Sequence, residues 1–243
     1  MGLTRRQAMI MASIGAMTLA GCTSTSRATR HPRPVAGWPG YPANPSASRG
    51  YQQVAPPYRQ PVPVPDSQAD IARIAPGIDA IGRSNWTRTG PVRSKVNAMN
   101  GINKLTIHHE GWTAVNFTSQ STTAERIEKI RKYHTGEKRW GDIGYHYIVD
   151  RAGRVWEGRP IQYQGAHVSQ NNENNVGILV LGNFEKQSPS SAQLKALYNT
   201  AGALKTQHKI KTSLIRSHRE INPTTCPGKN LQNQMSALRR HVG

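Results

Sequence analysis

The chain has 243 residues, with 32 Lys and Arg against 13 Asp and Glu for a net charge of +19. Eight Arg and three acids fall in residues 1–80, so 24 basic and 10 acidic residues, a balance of +14, fall in 81–243. A charge of that sign favours polyanionic partners, and two cysteines, Cys22 and Cys226, are too few for a disulfide scaffold.

Met1 to Cys22 starts with Arg5-Arg6, continues through an apolar run from Ala8 to Leu19 and closes on Leu19-Ala20-Gly21-Cys22. A basic start and an apolar core too short to span a bilayer predict an export signal over 1–22. Its ending resembles the lipobox of bacterial lipoproteins, in which the cysteine becomes the acylated first residue, and Thr4-Arg5-Arg6-Gln7 resembles the start of a twin-arginine signal. An acylated Cys22 leaves Cys226 without a disulfide partner and holds the chain on a membrane at about 0.8 kcal/mol per buried methylene. The expected localisation is therefore exported and lipid-anchored in the cell envelope. Residues 23–80 are rich in Pro, Ser, Gly, Gln and Arg, with Pro56-Pro57 and Pro61-Val62-Pro63-Val64-Pro65 as dense spots. Such a stretch buries too little apolar surface to offset the entropy of ordering, which predicts an extended linker. At about 3.1 Å per residue it would reach on the order of 100 Å. A short helix is expected at Ala69 to Ile74, and Asn85-Trp86 is expected to pack as a lid.

Residues 81–243 read as one α/β domain, a mixed central sheet flanked by helices, because strand and helix patterns alternate and the length suits one core. Lys104 to His109 is strand-like. Thr122-Thr123-Ala124-Glu125 has the form of a capping box, followed by Ile127 and Ile130 at helical spacing. Gly144 to Asp150 alternates as a strand, and Asp150-Arg151-Ala152-Gly153 turns it into Arg154 to Glu157 as a hairpin. Val176 to Leu181 suits a central strand covered on both faces. Ser188-Pro189 starts a second expected helix, with Leu194, Leu197, Tyr198, Ala201 and Leu204 on one face. Leu214 to His218 is the last expected strand, and Leu231, Met235 and Leu238 mark a closing helix. No repeat or heptad run is present, and the domain is expected to be a monomer.

Three side chains carry the chemistry. His108 ends the first strand; His218 and Cys226 lie near the C-terminus with seven residues between them. Two imidazoles and a thiolate are the donor mix of a zinc site with one coordination position open, the arrangement of a hydrolase. Pro223, Pro227 and Gly228 make the segment around Cys226 a rigid turn rather than a helix.

Five segments in order then carry a resemblance: Thr106-Ile107-His108-His109, Gly141-Asp142-Ile143-Gly144-Tyr145-His146-Tyr147, Gly165-Ala166-His167, Asn174-Asn175-Val176-Gly177-Ile178, and His218-Arg219-Glu220 through Cys226-Pro227-Gly228. From about Ser84 to Leu238 the chain resembles the zinc-dependent N-acetylmuramoyl-L-alanine amidases, the group that includes the peptidoglycan recognition proteins. The resemblance implies Zn2+ as cofactor, with His108, His218 and Cys226 as ligands. It implies that Tyr145 stands beside the activated water and that Thr224 supports the oxyanion. It also implies that His167 and Asn174 lie near the substrate groove. His109 is expected on the opposite sheet face, and Tyr147 and Trp156 in the core rather than the groove. A sister branch carries Glu where Leu179 stands here, so the chain fits the tyrosine branch. Recognition proteins selective for diaminopimelate carry Gly-Trp before Asp-Ile-Gly-Tyr; here Arg139-Trp140-Gly141 keeps the Trp and replaces the Gly, and Arg139 and Trp140 become candidate substrate contacts.

The function implied is hydrolysis of the amide between N-acetylmuramic acid and L-alanine, with peptidoglycan or muropeptides as partner. The alternative is a recognition module that binds peptidoglycan without cutting it; members of that kind typically lose the metal cysteine, and Cys226 is present. A nucleic-acid binder, suggested by charge alone, lacks a nucleic-acid motif, and export removes it from nucleic acid.

Overall fold

Each strand foreseen from the pattern forms in the computed structural model, which describes residues 77–243. The strands are β1 (Ala80–Ile81), β2 (Lys104–His109), β3 (Tyr147–Val149), β4 (Val155–Glu157), β5 (Asn175–Val180) and β6 (Ile215–Ser217), and the helices are α1 (Gln120–Gly136), α2 (Ser191–His208), α3 (Lys229–Gln232) and α4 (Met235–Val242). The expected leader with Cys22, the linker up to residue 76 and the expected helix at Ala69 to Ile74 lie outside the described residues. Among the described residues no helix is long and apolar enough to cross a membrane.

The six strands form one sheet in the order β1-β4-β3-β5-β2-β6, parallel at every junction except the β3–β4 hairpin. Its central strand β5 is buried at all six residues, as its unbroken apolar run demands. One face packs Ile107, Val176, Ile178 and Val180 against Leu197, Ala201 and Leu204 of α2 and against Leu231, Met235 and Leu238 of α3 and α4. The other face packs Ile148, Leu179 and Trp156 against Ile127 and Ile130 of α1. Each fully buried Leu or Ile in these seams contributes roughly 1.5–3 kcal/mol. The hydrophobic effect therefore sets which face each strand residue occupies, and with it the direction of the polar residues between them.

Several boundaries differ from the sequence expectation for identifiable reasons. Helix α1 starts at Gln120, because Ser119 caps first: its hydroxyl accepts from Thr122 N–H at 3.4 Å, and Thr123 Oγ1 donates to Ser119 O at 2.8 Å. The Thr122–Glu125 box is inside the helix. In α2 the cap is Ser190 rather than Ser188, since Ser190 Oγ accepts from Gln193 N–H at 3.0 Å and Gln193 Oε1 accepts from Ser190 N–H at 3.1 Å. Reciprocal capping of this kind outweighs a proline at the first helical position. The closing helix is two pieces, α3 and α4, parted at Asn233 and Gln234. The domain also starts before residue 81, for Ile78 is buried and Ala80 pairs with Val155.

Asn85-Trp86 is not a lid. Trp86 is buried against Ile127, Ile148 and Trp156, and its Nε1 donates to Glu157 O at 2.7 Å. The strapping residue of this segment is Arg83, whose guanidinium donates to Gly158 O at 2.6 Å, Thr89 O at 2.8 Å and Asp142 Oδ1 at 2.8 Å. Asp142 is fully buried, and its second oxygen has no partner. Arg159, also buried, donates to the carbonyls of Ile143 at 2.8 Å and Asp142 at 3.1 Å. Two arginines thus pin the turn that carries Gly144 and Tyr145. Arg83→Ala strands the Asp142 charge in the interior, and urea unfolding is expected to report a loss of about 3 kcal/mol; a change within error of zero would show that the pair is not a strap.

Candidate metal centre

Register places the first two site residues. In the parallel β2–β6 pair Ile107 is opposite Ser217, so His108 near the end of β2 and His218 just beyond β6 follow side by side. Their ring centroids are 4.8 Å apart. Just beyond β6 the chain turns into a 3-10 turn, His218–Glu220, held by Ser217 N–H donating to Glu220 Oε2 at 2.9 Å. Arg239 of α4 donates to the same carboxylate at 3.0 Å, which ties the turn to the closing helix.

Cys226 arrives on the loop after that turn, which is irregular from Pro223 to Gly228, as its prolines require. Arg219 N–H donates to Cys226 O at 2.9 Å, and Gly228 N–H donates to Thr225 O at 2.7 Å. Gly228 has φ +84°, and a Cβ there would lie 2.5 Å from the Phe184 backbone, so only glycine fits. The result is a Cys226 Sγ that lies 3.6 Å from His108 Nδ1 and accepts from His109 N–H at 3.4 Å.

One donor atom from each of His108, His218 and Cys226 lies within 4.8 Å of the others. Among the described residues no further His, Cys, Asp or Glu joins this group. Three donors of this type suit a tetrahedral zinc site that keeps one position for water or substrate. The protonation chemistry fits a cation as well. Burial holds His108 well below the ordinary imidazole range, with His167 and His218 adding to the effect, and burial lowers His218 to about 4, so both offer neutral nitrogen donors. Burial pushes the Cys226 thiol up to about 12, and a divalent cation is the group that would draw it to thiolate.

Around this trio the other candidates separate. Tyr145 is half-buried with its ring 5.2 Å from that of His108. Thr224 is exposed two residues before Cys226, where its Oγ1 accepts from Cys226 N–H at 3.2 Å, leaving its own hydroxyl proton to donate outward. Trp140 is half-buried with its ring 4.6 Å from that of His134 and tilted to it, and His134 in turn meets Tyr145 at 5.7 Å. Arg139 is exposed beside it at φ +57°. His109 faces the opposite side of the sheet, where its Nδ1 accepts from Phe184 N–H at 3.2 Å, as expected. Tyr147 and Trp156 are core residues, also as expected.

Two of the expected groove residues, Asn174 and His167, have internal hydrogen-bond partners. Asn174 lies just before β5, at the end of the sheet where β2 begins, with Asn175 opposite Lys104 rather than His108. Its Nδ2 donates to Gly101 O at 3.0 Å and to Asn100 O, so it pins a loop remote from the trio. His167 is buried behind His108: the two rings meet at His108 Nε2 and His167 Nδ1, 3.0 Å apart. Sequence reasoning missed His134, which reads only as a helical-period residue. It also missed His146, whose Nδ1 accepts from Gly177 N–H at 3.0 Å while its Nε2 meets Tyr163 O at 3.0 Å.

The sequence profile of the family described as N-acetylmuramoyl-L-alanine amidase matches residues 98–229, more than half of the chain. The chain belongs to that family. It is similar to peptidoglycan-recognition protein SC2 of Drosophila melanogaster, 30% identical over 161 residues that span 65% of this chain and 85% of the relative. It is 31% identical over 133 residues to the N-acetylmuramoyl-L-alanine amidase of Homo sapiens, covering 52% of this chain and 22% of that longer protein. Among solved structures, a variant of Drosophila PGRP-LB in complex with tracheal cytotoxin superimposes with a TM-score of 0.58 at 27% identity, over 65% of this chain and 93% of that one.

Burial in this amidase-family domain has a pH signature apart from the metal ligands. His134 and His146 are lowered to about 3 and about 4, both mainly by burial. The unfolded chain takes up their protons near pH 6.5 and the folded one does not, so stability is full above about 6.5 and falls as pH drops toward 4. Urea unfolding in the presence of chelator is expected to lose about 2 kcal/mol for each ring between pH 7 and pH 5. Equal stability at the two pH values would contradict the buried neutral state.

Proposed function

We propose that the chain is a zinc-dependent amidase that hydrolyses the bond between the lactyl group of N-acetylmuramic acid and L-alanine in peptidoglycan or muropeptides. The observation that carries this reading is the convergence of His108, His218 and Cys226 within 4.8 Å, with Tyr145 and Thr224 beside them. Membership of the family, the similarity to the human amidase, and the bound tracheal cytotoxin of the PGRP-LB variant support the substrate class.

His108, His218 and Cys226 would hold the ion. When bound, zinc supplies Lewis acidity to the scissile carbonyl and lowers the pKa of water toward about 7. Tyr145 reaches the same space from the turn pinned by Arg83 and Arg159, and its hydroxyl would orient the water or the carbonyl. Thr224 would donate its hydroxyl proton to the oxyanion as charge develops, while its oxygen keeps the Cys226 N–H bond that fixes its direction. Trp140 forms an apolar wall continuous with His134 and Tyr145, and Arg139 offers a cation to a stem-peptide carboxylate at that end.

In this reading the export signal ends at Cys22, which carries the lipid, and the Pro-rich stretch tethers a monomeric catalytic domain in the cell envelope. The domain's positive balance suits a carboxylate-bearing wall.

Mass spectrometry of products from purified peptidoglycan tests the reaction. The parent is expected to release free stem peptides, Cys226→Ser to release none and to lose zinc, and Tyr145→Phe to retain zinc while turnover falls by about 10²-fold or more. Binding of peptidoglycan without any released peptide would replace the amidase by a recognition module. Tyr145→Phe at parental turnover would remove that hydroxyl from the chemistry.

A further inference from the structure

His167 is buried and closely enclosed. Its ring lies over Gly177, where a Cβ would approach its Cδ2 and Cγ to 2.7 Å, and against Gly165, where a Cβ would overlap it. Its backbone is fixed too, for the N–H groups of His167 and Val168 both donate to Asn172 Oδ1 at 2.9 Å. Two glycines and an asparagine thus form a cradle that admits one ring in one orientation.

Hydrogen-bond logic then sets the protons. His167 Nε2 lies 3.1 Å from the backbone carbonyl of Asn175, which only accepts, so Nε2 carries hydrogen. A neutral imidazole has one N–H, which leaves His167 Nδ1 bare. That bare nitrogen is 3.0 Å from His108 Nε2, so His108 must donate there and carry its own hydrogen on Nε2. The remaining nitrogen, His108 Nδ1, is bare and lies 3.6 Å from Cys226 Sγ. A chain of two bonds from a fixed carbonyl therefore selects which nitrogen of His108 is offered to the thiol side.

We infer that His167 is a positioning residue of the metal centre: it holds His108 in the tautomer and ring orientation that present Nδ1 to the ion. The inference rests on the metal reading above. It assigns the two glycines a purpose, since any side chain at Gly165 or Gly177 displaces the ring that orders the ligand. A ligand held this way needs no rearrangement on binding, and outer partners of this kind typically change metal affinity about 10- to 100-fold when removed.

Two measurements test it on the purified domain-bearing chain. Chelator competition at neutral pH is expected to show His167→Phe, which keeps a ring but has no acceptor, binding zinc about 10- to 100-fold more weakly than the parent. His167→Asn, whose carboxamide oxygen stands where Nδ1 was, is expected to recover most of that loss. A merely space-filling role predicts the opposite order. Parental affinity in His167→Phe overturns the inference and leaves the metal reading intact; a parent that binds no zinc overturns both. Long-range proton–nitrogen NMR of the metal-free parent decides the matter without any variant. It is expected to find hydrogen on Nε2 and a bare Nδ1 in both His108 and His167, and hydrogen on His108 Nδ1 would overturn the inference.

Discussion

Two of the three metal donors depend on the parallel pairing of β2 with β6. Ile107 opposite Ser217 fixes the alignment, and a slip by one residue would turn His108 into the apolar face that Ile107 now fills. That slip is opposed by Leu105, Ile107 and Ile215, all fully buried. Packing on the α2 side thus aims a polar residue on the α1 side. The third donor needs no sheet at all, only a loop stiffened by Pro223, Pro227 and Gly228 and anchored on Phe184 and Arg219.

Close to the trio lies a set of buried imidazoles bonded to backbone groups. His134, His146 and His167 are all buried, and each has a ring nitrogen within hydrogen-bond reach of a backbone group. A buried, fixed set of dipoles of this kind strengthens electrostatic interaction with a cation or a developing charge and requires no reorganisation when it forms. The arginine pair Arg83 and Arg159 does the corresponding work for the Tyr145 turn, at a distance from the chemistry.

Much of this was legible because it depends on local pattern. The apolar run at Val176 to Leu181 and the strand into His108 announce the central sheet, and His108, His218 and Cys226 announce themselves by residue type. The cap positions shifted because competing hydroxyls, Ser119 and Ser190, lie one turn or less from the expected ones, and only tertiary context selects between them. The internal hydrogen bonds of His167 and Asn174 carried no sequence signal. The packing of His167 rests on Gly177 and Gly165, which read as ordinary loop or strand glycines until a ring is seen lying on them. Trp86 was misread for a similar reason: its partners Ile127, Ile148 and Trp156 are remote in sequence.

The most direct measurement of the central claim is zinc K-edge X-ray absorption on the purified protein. One sulfur at about 2.3 Å and about three nitrogen or oxygen neighbours near 2.0 Å are expected, the signature of two imidazoles, one thiolate and one exchangeable position. A spectrum without a sulfur neighbour, or a preparation that retains no zinc, would contradict it.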